Sequence, residues 1–296
     1  MYKILKAEQL SATNYLMVVE APRVAAHCQP GQFIIVKLDE KGERIPLTIC
    51  DYDREAGTIT IVFQPIGAST QKFKELKTGD AFMDFTGPLG CPSELIDLPI
   101  EELKEKKIIF IGGGVGAAPV YPQVKWMKEH GVAVDCIIGA KNKDLLILED
   151  EMRAVAENYY PCTDDGSYGF SGMVTAQLEA LYEEGKSYDV AVIIGPMIMM
   201  KFGALCAKKL GIPECIVSMN PIMVDGTGMC GACRVIVNDE VKFACVDGPE
   251  FDGYGVDYNA AMKRQAMYKD LEQRAILKLQ EGDTHHGGCG QCGGDK

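Results

Sequence analysis

Hydrophobic and polar positions along the chain fall into three successive patterns. Over residues 1–100 they predict short strands. The run 33–38 is apolar and bounded by Pro30-Gly31, and 58–63 alternates β-branched residues after a glycine. Strands at regular spacing with turn residues between them predict a small antiparallel barrel. A charged stretch, 101–107, then leads into continuous apolar runs at 107–111, 132–138, 189–194 and 215–219, with a helical pattern reaching Trp126 to His130. Buried strands alternating with helices predict a doubly wound parallel sheet over residues 101–219. From residue 220 glycines and cysteines crowd together, and 259–281 reads as one helix carrying Leu271, Ile276 and Leu279 among many charges. The Gly-rich tail from 282 completes a third part, 220–296.

Composition narrows the function. A chain of 296 residues, 47% hydrophobic, supports two cores and a small appendage. The net charge of -12 argues against nucleic acid as a partner. The first residues lack the apolar core and small-residue cleavage site of a signal peptide, and the apolar stretch 190–200 is broken by Gly195 and Pro196. These features predict a cytoplasmic protein with no membrane span. Twelve cysteines in a reducing compartment are then not a disulfide framework. Cys28, Cys50, Cys91, Cys136, Cys162, Cys206 and Cys215 stand singly and read as small buried hydrophobes. Cys230, Cys233 and Cys245 form one group, and Cys289 with Cys292 another.

Ile111-Gly112-Gly113-Gly114-Val115-Gly116-Ala117-Ala118-Pro119 follows a strand and opens a helix. Glycines there let the backbone approach a pyrophosphate. A proline at the helix start resembles the nucleotide domains of the ferredoxin reductase superfamily. The resemblance extends to Arg44-Ile45-Pro46-Leu47-Thr48, Phe63-Gln64, Gly67-Ala68-Ser69-Thr70 and Gly87-Pro88-Leu89-Gly90. It implies FAD bound noncovalently: Arg44 on the pyrophosphate, Pro46, Leu47 and Thr48 along the isoalloxazine, Phe63 and Gln64 on the adenosine side, and Gly67, Ser69 and Thr70 on the phosphates. In the second part it implies a nicotinamide dinucleotide at Gly113, Gly114, Val115, Gly116 and Pro119. Its adenosine would lie by Gly139, Ala140, Asp164 and Asp165, and its nicotinamide half by Gly195, Pro196 and Met197. Lys141 and Lys143 are present but no Arg cluster, and acidic residues are near, which favours NAD(H) over NADP.

The densest motif is Asp225-Gly226-Thr227-Gly228-Met229-Cys230-Gly231-Ala232-Cys233, with Cys245 downstream. A plant-type [2Fe-2S] loop reads C-x4-C-x2-C with a distant fourth Cys, and here Asp225 stands in the first place. Structural zinc on three thiolates and a carboxylate is the alternative. The order of barrel, nucleotide part and cysteine loop resembles the family of electron-transfer subunits of dihydroorotate dehydrogenase. The loop 218–234 and the segment 247–253 resemble those of the NADH-dependent reduced ferredoxin:NADP+ oxidoreductase and sulfide dehydrogenase branch. This implies a β-barrel FAD domain, an α/β nucleotide-binding domain and a small C-terminal [2Fe-2S] domain with ligands Asp225, Cys230, Cys233 and Cys245. It implies electron bifurcation in a heterodimer with a larger flavin and iron-sulfur oxidoreductase subunit, and with ferredoxin served indirectly. No side-chain base is expected, because the cofactors supply the chemistry. A dihydroorotate dehydrogenase partner, or a non-catalytic redox adaptor, remain as alternatives. The Cys289/Cys292 pair after His285-His286 departs from the resemblance.

Overall fold

The computed structural model describes residues 1–281; the Cys289/Cys292 pair lies outside them. The first sheet holds seven strands: β1 (Tyr2–Gln9), β2 (Tyr15–Glu20), β3 (Phe33–Lys37), β4 (Ile45–Asp53), β5 (Thr58–Phe63), β6 (Ala81–Phe82) and β7 (Asp84–Leu89). Their order is β6-β1-β2-β5-β4-β3-β7, and every pairing is antiparallel. Because β6 and β7 are separated only by Met83, whose amide donates to Lys37 O (3.0 Å), the sheet nearly closes into a barrel. Ile34, Val36, Ile49, Ile59, Ile61, Phe63, Phe73 and Phe82 fill it. Two six-residue helices, α1 (Pro22–His27) and α2 (Ala68–Phe73), interrupt the strands, and α3 (Ile100–Glu105) forms within the charged stretch. Helices this short bury one or two side chains each, too few for a visible periodicity.

The second sheet is built from β8 (Ile108–Gly113), β9 (Val134–Ala140), β10 (Asn158–Thr163), β11 (Phe170–Ser171), β12 (Val190–Ile194) and β13 (Glu214–Ser218), all parallel to their neighbours. The crossover helices are α4 (Ala117–Glu129), α5 (Glu149–Val155), α6 (Val174–Glu183) and α7 (Met197–Lys209). Helix α4 also lies against β4 of the barrel, where Cys50 and Val62 join the core beneath Phe110, Val120 and Val124. Lys125 and Asp51 pair across this seam at 2.7 Å.

Beyond residue 219 a hairpin, β14 (Arg234–Val237) with β15 (Glu240–Phe243), precedes β16 (Glu250–Asp252). Strand β16 runs back into the second sheet, antiparallel to β13, so this part of the chain completes the nucleotide sheet's edge.

Two expectations are corrected. The single helix over 259–281 is two: α8 (Tyr258–Gln265) and α9 (Lys269–Glu281). Helix α8, capped by Asp257 accepting from the Ala260 amide (3.0 Å), buries Tyr258 and Ala261 against α7 and β14. Helix α9 buries no residue and meets α2 of the barrel. One straight helix cannot lie along both, and the turn at Ala266–Lys269 makes the change of direction. Cys91 is exposed, not buried: it lies just past β7, donating from Sγ to Val246 O (3.2 Å). Cys28, Cys50, Cys136, Cys162, Cys206 and Cys215 are buried as expected. Among the described residues no helix is long and apolar enough to cross a membrane.

Candidate cofactor cleft and cluster loop

Between barrel and parallel sheet lies a cleft of about 1580 Å3, beyond the ~300–1,000 Å3 usual for one small ligand. Pro46, Leu47 and Thr48 of β4 line its barrel wall with Phe63 and Gln64 at the end of β5. Opposite them are Gly113, Gly114, Val115, Gly116 and Pro119, then Gly139, Ala140 and Asp164, then Gly195 and Pro196. These are the carboxyl ends of β8, β9, β10 and β12, where open α/β sheets take nucleotides. The turn after β8 needs its glycines: Gly114 has φ +57°, and a Cβ on Gly116 would overlap the Ile194 carbonyl oxygen.

Some expected residues sit elsewhere. Arg44, Gly67, Ser69 and Thr70 do not line the cleft. Ser69 Oγ donates to the Glu43 carboxylate, and Thr70 Oγ1 closes the α2 cap with the Gly67 amide at 3.1 Å. Phe63 borders the cleft, but its side chain is buried in the barrel core beside Tyr15 and Phe73. Met197, the first residue of α7, is buried, and Asp165 turns to the Ser167 amide (2.9 Å). The cleft also includes Tyr15, Gln71, Lys74, Met199 and Phe202, which no motif marks, and Met219 and Asn220 from the start of the 218–234 segment.

The cysteine loop turns on three glycines with positive φ: Gly226 (+80°), Gly228 (+81°) and Gly231 (+65°). They let the Asp225 carboxylate accept from Thr227 Oγ1 (2.7 Å), the Met229 amide (3.0 Å) and Cys230 Sγ (2.9 Å). The Cys230 thiol, the Thr227 hydroxyl and the backbone amides hold this carboxyl well below the usual carboxylate range. Cys233 and Cys245 lie behind, buried, with Sγ atoms 3.2 Å apart. Burial and the neighbouring Cys233 push the Cys245 thiol up to about 12. The four candidate ligands thus stand as two pairs, and among the described residues no three metal-binding side chains converge on one point. Cys215 is packed in β13 against Gly253, away from either pair's contacts.

Three polar joints fix the loop to the rest. Arg44 donates from Nε to Val224 O (2.8 Å) and from Nη2 to Asp225 O (3.3 Å). Arg264 of α8 donates from Nη2 to Ala232 O (3.2 Å). Behind Pro249, the Glu250 carboxyl accepts from Gln123 Nε2 of α4 (2.6 Å). Burial raises Glu250 from 4.5 to about 7, partly offset by Ser93 and Gln123. Arg264 belongs to no recognisable motif, and Glu250 lies in the segment 247–253, whose resemblance assigned it no role.

The iron-sulfur cluster binding domain of dihydroorotate dehydrogenase B matches residues 220–257. A dihydroorotate dehydrogenase B (NAD(+)) electron transfer subunit homolog from Thermotoga maritima is 43% identical over 271 residues, 92% of this chain and 93% of that one. The chain belongs to the family of dihydroorotate dehydrogenase B electron-transfer subunits and their homologues. It is an oxidoreductase subunit of flavin and iron-sulfur type, as its resemblance implied. A protein of Clostridium beijerinckii described as an uncharacterized protein in the adh 3' region is 62% identical over 298 residues, all of both chains. A chain of the NADH-dependent reduced ferredoxin-NADP oxidoreductase, solved in a study of flavin-based electron bifurcation, superposes with TM-score 0.87 at 40% identity, over 95% of this chain and 98% of that one. A ferredoxin NADP+ reductase from Neisseria gonorrhoeae, with TM-score 0.58 and 18% identity over 73% of this chain and 96% of its own, shares the fold.

Proposed function

We propose that this subunit takes electrons from NADH onto FAD in the cleft and relays them singly, through a [2Fe-2S] cluster, to or from a larger flavin and iron-sulfur subunit. The observation that carries this reading is the pairing in the loop. A cluster with two irons needs two pairs of donors, and Asp225 with Cys230 and Cys233 with Cys245 are two pairs at plant-type spacing. Zinc on the same four donors is the competing reading, and the metal content of the purified chain separates the two.

When bound, the flavin couples two-electron hydride chemistry to the one-electron chemistry of the cluster. The chain's part is placement. The β4 backbone at Pro46, Leu47 and Thr48 borders the isoalloxazine, with Gln64 towards the adenosine. Arg44, Gly67, Ser69 and Thr70 serve the phosphates, which requires Ser69 to exchange its Glu43 partner. The glycine turn Gly113 to Gly116, with Pro119, carries the nicotinamide dinucleotide; Gly139, Ala140 and Asp164 face its adenosine and Gly195 and Pro196 its nicotinamide half. Asp164, exposed at the cleft's end, disfavours a 2′-phosphate by charge, which selects NADH. The ten cysteines among the described residues are all free, in keeping with a reducing cytoplasm.

The partner is read as the large subunit of an electron-bifurcating NADH-dependent ferredoxin:NADP+ oxidoreductase, on the 40% identity over nearly full length. A dihydroorotate dehydrogenase catalytic subunit is the second reading, favoured by the chain's kinship with dihydroorotate dehydrogenase B electron transfer subunits. Anaerobic stopped-flow tests the central claim. NADH should bleach the flavin band much faster than NADPH, with acid-released FAD and two irons per chain. FMN, zinc, or equal rates with NADPH would each overturn the corresponding assignment, and the large chain that co-purifies decides the partner.

A further inference from the structure

Two arginines hold the cluster loop by its carbonyl oxygens, one from each side, and they differ in what stands behind them. Arg264 reaches Gly231 O (3.5 Å) and Ala232 O (3.2 Å) from α8, a helix packed on α7 and β14. Arg44 reaches Val224 O and Asp225 O from the residue just before β4, whose next residues line the cleft. The loop is also pressed onto the barrel here. A Cβ on Gly226 would come within 2.7 Å of Ile35 Cδ1 and 2.8 Å of Leu89 Cδ1, so the chain beside Asp225 has no room to move inward.

A guanidinium carries five N–H donors in one rigid plane. The two carbonyls occupy one on Nε and one on Nη2. The remaining three, both on Nη1 among them, have no acceptor among the described residues. A planar cation with free parallel donors matches the oxygens of a diphosphate. We propose that Arg44 is a shared clamp, holding the flavin diphosphate with its free donors and the Val224–Asp225 backbone with the others, so that flavin occupancy and the position of the ligand Asp225 are coupled. This rests on the flavin and cluster reading above. Diphosphate bound on one edge restricts the whole guanidinium, and through it the two carbonyls on the other edge. Arg264 grips the loop without any such second ligand. Arg44 therefore carries part of the flavin's influence on the loop, beside the direct cleft contacts of Met219, Asn220, Pro221 and Met223, and the coupling is reciprocal.

The test uses the full-length chain with cluster in place. The EPR spectrum of the reduced cluster is recorded with FAD bound, after FAD is stripped anaerobically, and after it is restored, in the wild type, Arg44→Lys and Arg264→Lys. Iron content and circular dichroism establish that each chain is folded and loaded. In the wild type and in Arg264→Lys, stripping FAD should shift the cluster's g-values, and restoring it should reverse the shift. In Arg44→Lys at saturating FAD the shift should shrink to roughly half or less, because an ammonium cannot hold two carbonyls and a diphosphate in one plane. Conversely, cluster loss in Cys230→Ser should weaken FAD binding by roughly five-fold or more in the wild-type background and not with Arg44→Lys. An unaltered shift in Arg44→Lys, or cluster g-values indifferent to FAD in a wild type that holds both, overturns the clamp alone. A wild type that retains no FAD or no iron overturns the underlying reading, and the clamp with it.

Discussion

The walls of the cleft are made of core strands: Ile109, Ile111, Ile137, Val192 and Ile193 are buried immediately below its rim, and its glycine turn is packed against the next strand. The cluster loop is made differently. Met229 is 89% exposed, Val224 is 47% exposed, and the loop's shape rests on side-chain hydrogen bonds and two arginines. A close-packed wall costs a great deal to move and keeps its geometry with or without a ligand. A polar loop keeps its geometry only while each of its few bonds is made, so single substitutions there should act first on the cluster and reach the cleft only through the contacts the two regions share. The same chain therefore contains a rigid site for exchangeable nucleotide and an adjustable site for a resident metal group.

The largest effect should come from the loop. Asp225→Ala is expected to lose most of its iron, whereas Asp225→Cys keeps a cluster with an altered EPR spectrum, since a thiolate replaces a harder oxygen donor. NADH should still bleach the flavin in both. Unchanged iron in Asp225→Ala, together with iron loss in Cys215→Ala, would move the fourth ligand to β13.

The cleft gives the converse. In Gly116→Ala the new methyl meets the backbone carbonyl of Ile194, which has no rotamer to escape into. The cost should be about 1–3 kcal/mol of stability and, by misplacing the dinucleotide, a roughly 100-fold slower bleaching by NADH. The cluster's EPR spectrum should not change, and a change there would show the two regions to be mechanically one.

Glu250 tests the seam between them. Its folded pKa of about 7 lies above the ordinary 4.5, so the fold favours the neutral acid. Its contribution to stability is therefore greatest below the unfolded value, declines as pH rises from about 4.5 to about 7, and is flat above. Glu250→Gln removes this decline and should be more stable than the wild type at pH 8, by up to about 3 kcal/mol, while differing little at pH 4. Urea melts at the two pH values measure it, and a pH-independent difference would mean that the carboxyl is not buried as described.

The smallest effect should be on nucleotide choice. Asp164 is exposed, so Asp164→Arg should raise the NADPH:NADH ratio of bleaching rates only roughly five-fold, the scale of a solvent-exposed charge contact. No change would place the adenosine ribose away from β10.

Much of this molecule was legible before folding because its signals are local. Apolar runs and β-branched alternation mark β3, β5, β8, β12 and β13 to within a residue or two, and the glycine turn after β8 and the spacing from Asp225 through Cys233 are contiguous strings. The short-range geometry of turns and strands depends on neighbours in sequence, so the residues themselves carry it. What only tertiary structure decided involves partners far apart in sequence. Arg44 meets Asp225 across 181 residues, Gln123 meets Glu250 across 127, and Arg264 meets Ala232 across 32. Residues 259–281 keep one helical rhythm across a break imposed by two separate packing surfaces. Cys91 and Cys136 look alike in sequence, yet one is exposed at a turn and the other lies inside a sheet. A polar residue's role is set by what surrounds it once the chain is packed. An arginine written into a strand motif therefore reads as a phosphate ligand, and the structure adds the carbonyls on its other edge.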